Sequence, residues 1–155
     1  IPVQFRTWVI TKILEHNDFN VAKGNNDKGL YDMLDKKRAD YFLRSVLDID
    51  NDLQRYKYYK LAVDPFLLIK YPTAVYFYVS KKNKELAQAI KFGLEQALKD
   101  GSFDRLFNKY YARTLAKFAL NKRTVIELDN PFYKKTKDLQ RKELWAKTES
   151  IKIGL

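Results

Sequence analysis

His16 is the only histidine in the chain, and there is no cysteine. Thiol catalysis, disulfide scaffolds and zinc sites built from cysteine or histidine sets are therefore excluded. Asp48-Ile49-Asp50-Asn51-Asp52 has the alternating acids that open a calcium loop. A loop of the helix–loop–helix kind also needs glycine sixth and a bidentate acid twelfth. This chain has Leu53 and Tyr59 there. These acids read instead as first-turn residues of a helix, opposing its dipole. No Ser/His/Asp set, phosphate-cradling glycine loop or paired catalytic carboxylate is evident. A general base needs a partner, and His16 next to Glu15 reads as a helix-end cap. The expectation is a protein that is not an enzyme and takes no cofactor or metal.

Two cationic stretches could bind anions. Tyr56, Tyr58 and Tyr59 alternate with Arg55, Lys57 and Lys60. Such a string can stack bases and hold phosphates, or it can end a helix with its lysines snorkelling to water. Lys134, Lys135, Lys137, Arg141, Lys142 and Lys147 form a basic tail, read as a solvated face or as a surface for anions or membrane. Of the net charge of +11, residues 1–80 carry only +2 (12 basic, 10 acidic) and residues 81–155 carry +9 (18 basic, 9 acidic). A uniformly basic nucleic-acid binder would not leave half its length nearly neutral, so nucleic acid is not the expected partner.

With 155 residues, 46% hydrophobic and 32% charged, the chain can bury a core and amounts to one domain or most of one. No run of about 18 apolar residues spans a membrane, and no secretory signal is visible. The opening Ile1-Pro2-Val3-Gln4 leads us to expect a removed leader or a piece of a longer chain.

Strands and helices alternate along the pattern, which predicts an α/β architecture. Strands are expected at Val3–Phe5, Phe19–Ala22, Tyr41–Leu43, Lys60–Val63, Phe66–Ile69, Thr73–Ser80 and Thr124–Leu128. Helices are expected over Thr7–Glu15, after a cap at Asp27, and over Leu47–Tyr56. Leu86, Ile90, Leu94 and Leu98 give a long amphipathic helix ending at Asp100-Gly101, and Phe103 to Leu115 a second.

Three segments carry a resemblance. Lys99 to Phe107, reading KDGSFDRLF, and Met33 to Phe42, reading MLDKKRADYF with Lys37 where glycine is usual, resemble two signatures of bacterial extracellular solute-binding proteins of the polar-amino-acid type. Between them, Tyr71-Pro72 and Val75 to Lys81 resemble that family's strand returning to the first lobe. A subgroup is closer. Its W-x-D-T-x-I-L, D-Y-F-x-R-G-x-x-E-I and N-P…L-W motifs are similar to Trp8–Leu14, Asp40–Ile49 and Asn130-Pro131…Leu144-Trp145.

The resemblance implies a periplasmic-binding-protein-like second lobe at residues 1–73, a crossing strand or hinge at 74–81, and at 82–155 the C-terminal helices of the first lobe with a tail. It implies a fragment of a periplasmic or otherwise extracytoplasmic protein that captures a small polar solute by lobe closure. That solute would pass to an ABC-type uptake transporter or a sensory partner. Ligand contacts would fall on Thr7, Trp8 and Thr11 at a helix start. Amino-acid binders hold the ammonium with an aspartate five residues beyond the Arg-x-Asp aspartate. From Asp40 that count reaches Ser45, preceded by Arg44. An arginine in that place suits a carboxylate or other anion better than an ammonium. Arg44 also stands four residues before Asp48, the spacing of an intrahelical salt bridge. The apolar stripes of the two C-terminal helices imply self-association, most simply a two-fold homodimer. The alternative function is a basic interaction module binding nucleic acid or anionic lipid through residues 81–155.

Overall fold

The computed structural model describes residues 1–133 and 141–145. The chain divides into two compact units, Ile1–Thr73 with Phe118–Lys134, and Ala74–Lys117 with Lys135–Leu155. The architecture is mixed α/β with small parallel sheets.

In the first unit, β1 (Pro2–Phe5) lies between β2 (Ala22–Gly24) and β3 (Tyr41–Phe42), parallel to both. Parallel neighbours need a crossover. α1 (Val9–His16) supplies it between β1 and β2, and α2 (Asp27–Asp35) between β2 and β3. α3 (Ile49–Arg55) follows, and β4 (Leu67–Lys70) pairs in parallel with β5 (Thr124–Glu127). That pairing brings residues 118–134 into the first unit, although the sequence grouped them with the C-terminal part.

Successive residues of a strand face opposite sides. Val3 and Gln4 are both fully buried, so β1 is covered on both faces. One apolar cluster joins Val3 to Leu30 and Ala39, with Phe5, Met33 and Phe42 packed on it. The other joins Ile13 and Leu14 of α1 to Leu128, with Leu43, Ile69 and Tyr71 around them.

The helix ends have local causes. Asn26, not Asp27, caps α2, its Oδ1 accepting from the Gly29 amide at 2.7 Å. Asp27 sits in the first turn, where it opposes the dipole. α1 and α2 both end in the same reversal. Asp18 (φ 62°) and Lys37 (φ 54°) turn left-handed. The amides of Phe19 and Arg38 then reach back to the carbonyls of Leu14 (3.0 Å) and Met33 (2.8 Å).

In the second unit, Asn83 caps α4 (Lys84–Lys99), and Gly101 (φ 71°) turns the chain into α5 (Ser102–Lys117). Asp100 accepts from the Ser102 amide at 2.8 Å, which accounts for the Asp-Gly-Ser order there. No residue of α4 is buried, and in α5 only Leu115 is.

Two expected strands are absent. Lys60–Val63 and Thr73–Ser80 form no ladder with any described residue. A strand exists only against a neighbour, and β4 and β5 pair with each other instead. Tyr41–Leu43 is also less buried than its apolar pattern implies, because β3 is an edge strand and Tyr41 is exposed.

Candidate functional site

β1 and β3 point the same way, so their carboxyl ends open on one edge of the sheet. The chain passes from β1 outward to β2, then crosses to β3 on the other side. At such a switch point the connections diverge and leave a crevice where α/β sheets take their ligands. The segments leaving this edge are Arg6-Thr7-Trp8 and Leu43-Arg44-Ser45.

The structure brings Trp8 and Arg44 together. The guanidinium lies 5.0 Å from the Trp8 ring centre and 5.4 Å from that of Phe42. Trp8 stacks on Phe5 at 5.6 Å and on Phe42 at 6.1 Å, forming an aromatic wall against which a cation is attracted. Arg44 Nε donates to Asp52 Oδ2 at 2.5 Å, and the two side chains are only 22% and 17% exposed. Burial opposes the charge on Arg44, but the hydrogen bond and charge of Asp52 outweigh it and raise its pKa. The ion pair is thus made with Asp52, not Asp48, which adds only a weaker field. Arg44's two terminal amino groups hold no partner among the described residues.

The other expected contacts divide. Thr7 is exposed beside Trp8, and Ser45 is exposed beside Arg44 with its Oγ accepting from the Leu47 amide at 3.2 Å. Thr11 is fully buried, and its hydroxyl donates to the Phe5 carbonyl at 2.8 Å. It fastens the start of α1 to the end of β1 and reaches no surface. Trp8 is the N-cap residue of α1 in extended backbone and provides no side-chain cap. Early helical amides have no acceptor within the helix, and those of Val9 and Ile10 have no backbone partner among the described residues. Beneath it, Gln4 Nε2 donates to the Leu43 carbonyl at 3.2 Å and sets the path into Arg44. Its buried Oε1 has no partner among the described residues.

Sequence reasoning missed the groups that hold Arg44 in place. Tyr31 meets Phe42 edge-on at 5.3 Å and stacks on Tyr56 at 3.8 Å. Burial, with the nearby Asp52 charge, pushes its hydroxyl up to about 12. Tyr59 donates to Asp32 Oδ1 at 2.6 Å, which pushes the phenol up to about 12 and the carboxyl down. Tyr56 and Tyr59 therefore fix the end of α3 to α2, and only Tyr58 of that aromatic string stands free in solvent. No local signal marked Asp52 as the partner, since eight residues separate it from Arg44 and no helix spans both.

Elsewhere, His16 pairs with Asp129 at 3.1 Å. No group of three or more His, Asp or Glu able to hold a metal ion occurs among the described residues. Of the basic tail, Lys134, Lys135, Lys137 and Lys147 lie outside the described residues. Arg141 is held bidentate by Glu95 at 2.6 and 3.0 Å. A shallow hollow of about 330 Å3, lined by Pro2, Asn17, Phe19 and Tyr41, lies at the opposite strand ends from Arg44. No described helix is long and apolar enough to cross a membrane. Comparisons with protein-family models, curated proteins and solved structures found no match.

Proposed function

We propose that the first unit captures a small anionic or polar solute at the β1–β3 crevice and catalyses no reaction. On this reading it is the second lobe of an extracytoplasmic two-lobe solute-binding protein, which passes its solute to an uptake transporter or a sensory partner. The observation that carries it is Arg44. Its guanidinium is backed by Trp8 and Phe42 and oriented by Asp52 through Nε, and its two terminal amino groups have no partner among the described residues at the switch point beside a helix start. A carboxylate there would accept from Arg44's terminal groups and from the first amides of α1, with Thr7 and Ser45 at its rim. Two details support the family resemblance. Lys37, at the usual glycine position, has the left-handed backbone glycine favours, and Gly101 of the KDGSFD segment is the αL turn between α4 and α5.

The test uses a Trp145→Phe background, which leaves Trp8 as the sole indole. A panel of small carboxylates and amino acids is titrated by fluorescence and calorimetry. A saturable response is expected from at least one anionic member, weakened by about 1.5–3 kcal/mol in Arg44→Ala. It should change little with added salt. A steep loss with ionic strength, together with binding of polyanions but of no small solute, would favour the basic-module reading and overturn this one.

A further inference from the structure

Residues 71–80 read Tyr-Pro-Thr-Ala-Val-Tyr-Phe-Tyr-Val-Ser, ten positions without a charge. Within them, Val75-Tyr76-Phe77-Tyr78-Val79 is a palindrome centred on Phe77. Val75 is 97% exposed, Tyr76 56%, Phe77 71% and Tyr78 92%. No backbone group from Ala74 to Val79 is hydrogen-bonded to another among the described residues. This is the strongest strand-forming segment of the chain; Val79 is half-buried, and the segment has no ladder among the described residues. Proteins guard exposed strand edges with charge, proline or bulges. No charge lies between Lys70 and Lys81.

We infer that residues 75–79 pair with the same segment of a second copy, antiparallel and two-fold symmetric about Phe77. The inference is drawn for the 155-residue chain and does not rest on the solute reading. A lipid surface would leave the backbone of an extended segment unsatisfied, and a nucleic acid would use its aromatic faces but not its amides. A strand satisfies both backbone and side chains. About Phe77, the two-fold sets Val75 opposite Val79 and Tyr76 opposite Tyr78. Every cross-strand pair is then β-branched with β-branched or aromatic with aromatic, the combinations that stabilise antiparallel ladders. Lys81 falls opposite Thr73, so no like charges meet in the ladder. At these exposures the three aromatics and Val75 hold out roughly 500 Å2 per copy. Against the about 800 Å2 per partner of a stable interface, that area fits a weak, concentration-dependent dimer. An isologous contact of this kind closes at two.

Because the chain has no cysteine, a single introduced thiol reports on one position. In Phe77→Cys the two thiols meet on the axis, within the about 4.5–5.5 Å Cα separation of directly opposed residues. Mild oxidation should give a disulfide-linked dimer. Tyr58→Cys, more exposed than Phe77 but in the first unit, should give far less. Tyr76→Cys mixed with Tyr78→Cys should cross-link faster than either alone. Light scattering of the unmodified chain over roughly a hundred-fold concentration range should show a monomer–dimer equilibrium. Added salt should strengthen it by screening the net positive charge. Phe77→Lys, which sets lysine against lysine on the axis, should raise the dissociation constant at least about tenfold with an unchanged circular dichroism spectrum. A chain that stays monomeric throughout overturns the inference. So does open-ended association beyond the dimer, association that Phe77→Lys leaves intact, or a monomer that binds anionic vesicles through these residues.

Discussion

Lys37→Gly should stabilise the first unit. Lys37 is the residue at which α2 reverses, with φ 54° and its amide donating to the Leu34 carbonyl at 2.9 Å. A residue with a Cβ pays about 1–2 kcal/mol for left-handed backbone. Glycine removes that strain but brings back roughly 0.4–1 kcal/mol of unfolded-chain entropy. The lysine's own interaction with the C-terminal end of the helix dipole, about 0.3 kcal/mol, is also lost. The net gain is about 0.5 kcal/mol, or roughly 1–2 °C in a chain of this size. Lys36 provides the control. It carries the same charge one residue earlier, at φ −83°. Lys36→Gly should therefore cost about 0.5–1 kcal/mol, and Lys37→Ala should be close to neutral. Trp8 fluorescence in the Trp145→Phe background follows the first unit alone through urea and thermal unfolding. If Lys37→Gly is no more stable than Lys37→Ala, or if both glycine variants lose stability equally, the reversal carries no relievable strain and the argument fails.

Leu14 is fully buried between α1 and Leu128, so Leu14→Ala should cost about 2–5 kcal/mol in urea unfolding; a loss below about 1 kcal/mol would mean that this cluster is not the core. Arg44→Met and Asp52→Asn should show a coupling of about 0.5–3 kcal/mol in a double-mutant cycle, and additivity would deny their ion pair a role. Asn17 holds the segment after β5, donating to the carbonyls of Ile13 and Asp129 at 2.8 Å and accepting from the Asp129 amide at 3.0 Å. Asn17→Ala should cost about 1–2 kcal/mol, and Asn17→Asp more, because a carboxylate would face two carbonyl oxygens. The pH profile has two arms. Asp32, Asp64, Glu95 and Asp100 all have lowered pKa values, so their contribution is complete above about pH 5 and fades as acid protonates them in the folded state. Tyr31 and Tyr59 are raised to about 12, so stability should fall as pH rises from about 10 toward 12. Tyr59→Phe should flatten the alkaline arm and remove Asp32's share of the acid one, leaving those of Asp64, Glu95 and Asp100, and an unchanged alkaline slope would place Tyr59's proton in no folding equilibrium.

Elements that close on themselves were readable in the sequence. α4 and α5 satisfy their backbones within the helix, so their periodicity and the Asp100-Gly101 stop located them within two residues. β1 and β5 were located because short apolar runs are bounded by polar residues and turns. The α2 cap fell one residue from its expected place, because Asn26 and Asp27 can both cap and only the backbone decides which does. The crevice was only half legible. A helix start at Thr7–Trp8 and an arginine at 44 are local features, but their approach depends on β1 and β3 being parallel neighbours. Asp52, Tyr31 and Phe42 complete the surroundings of Arg44 through packing, which leaves no mark at any fixed spacing.

Thr73–Ser80 shows where that limit lies. Its Val, Tyr and Phe content measures how well a pleated, covered surface would accept it. Content cannot say which chain supplies the adjoining ladder. A helix carries its partner four residues away, whereas a strand's partner has no address in the local sequence. The pattern therefore predicted a strand that forms no ladder with any described residue. The segment that ought to be the most strand-like of the chain holds the most exposed apolar run among the described residues. Preference without a neighbour is a binding capacity, and the palindrome about Phe77 specifies the register in which a second copy can meet it.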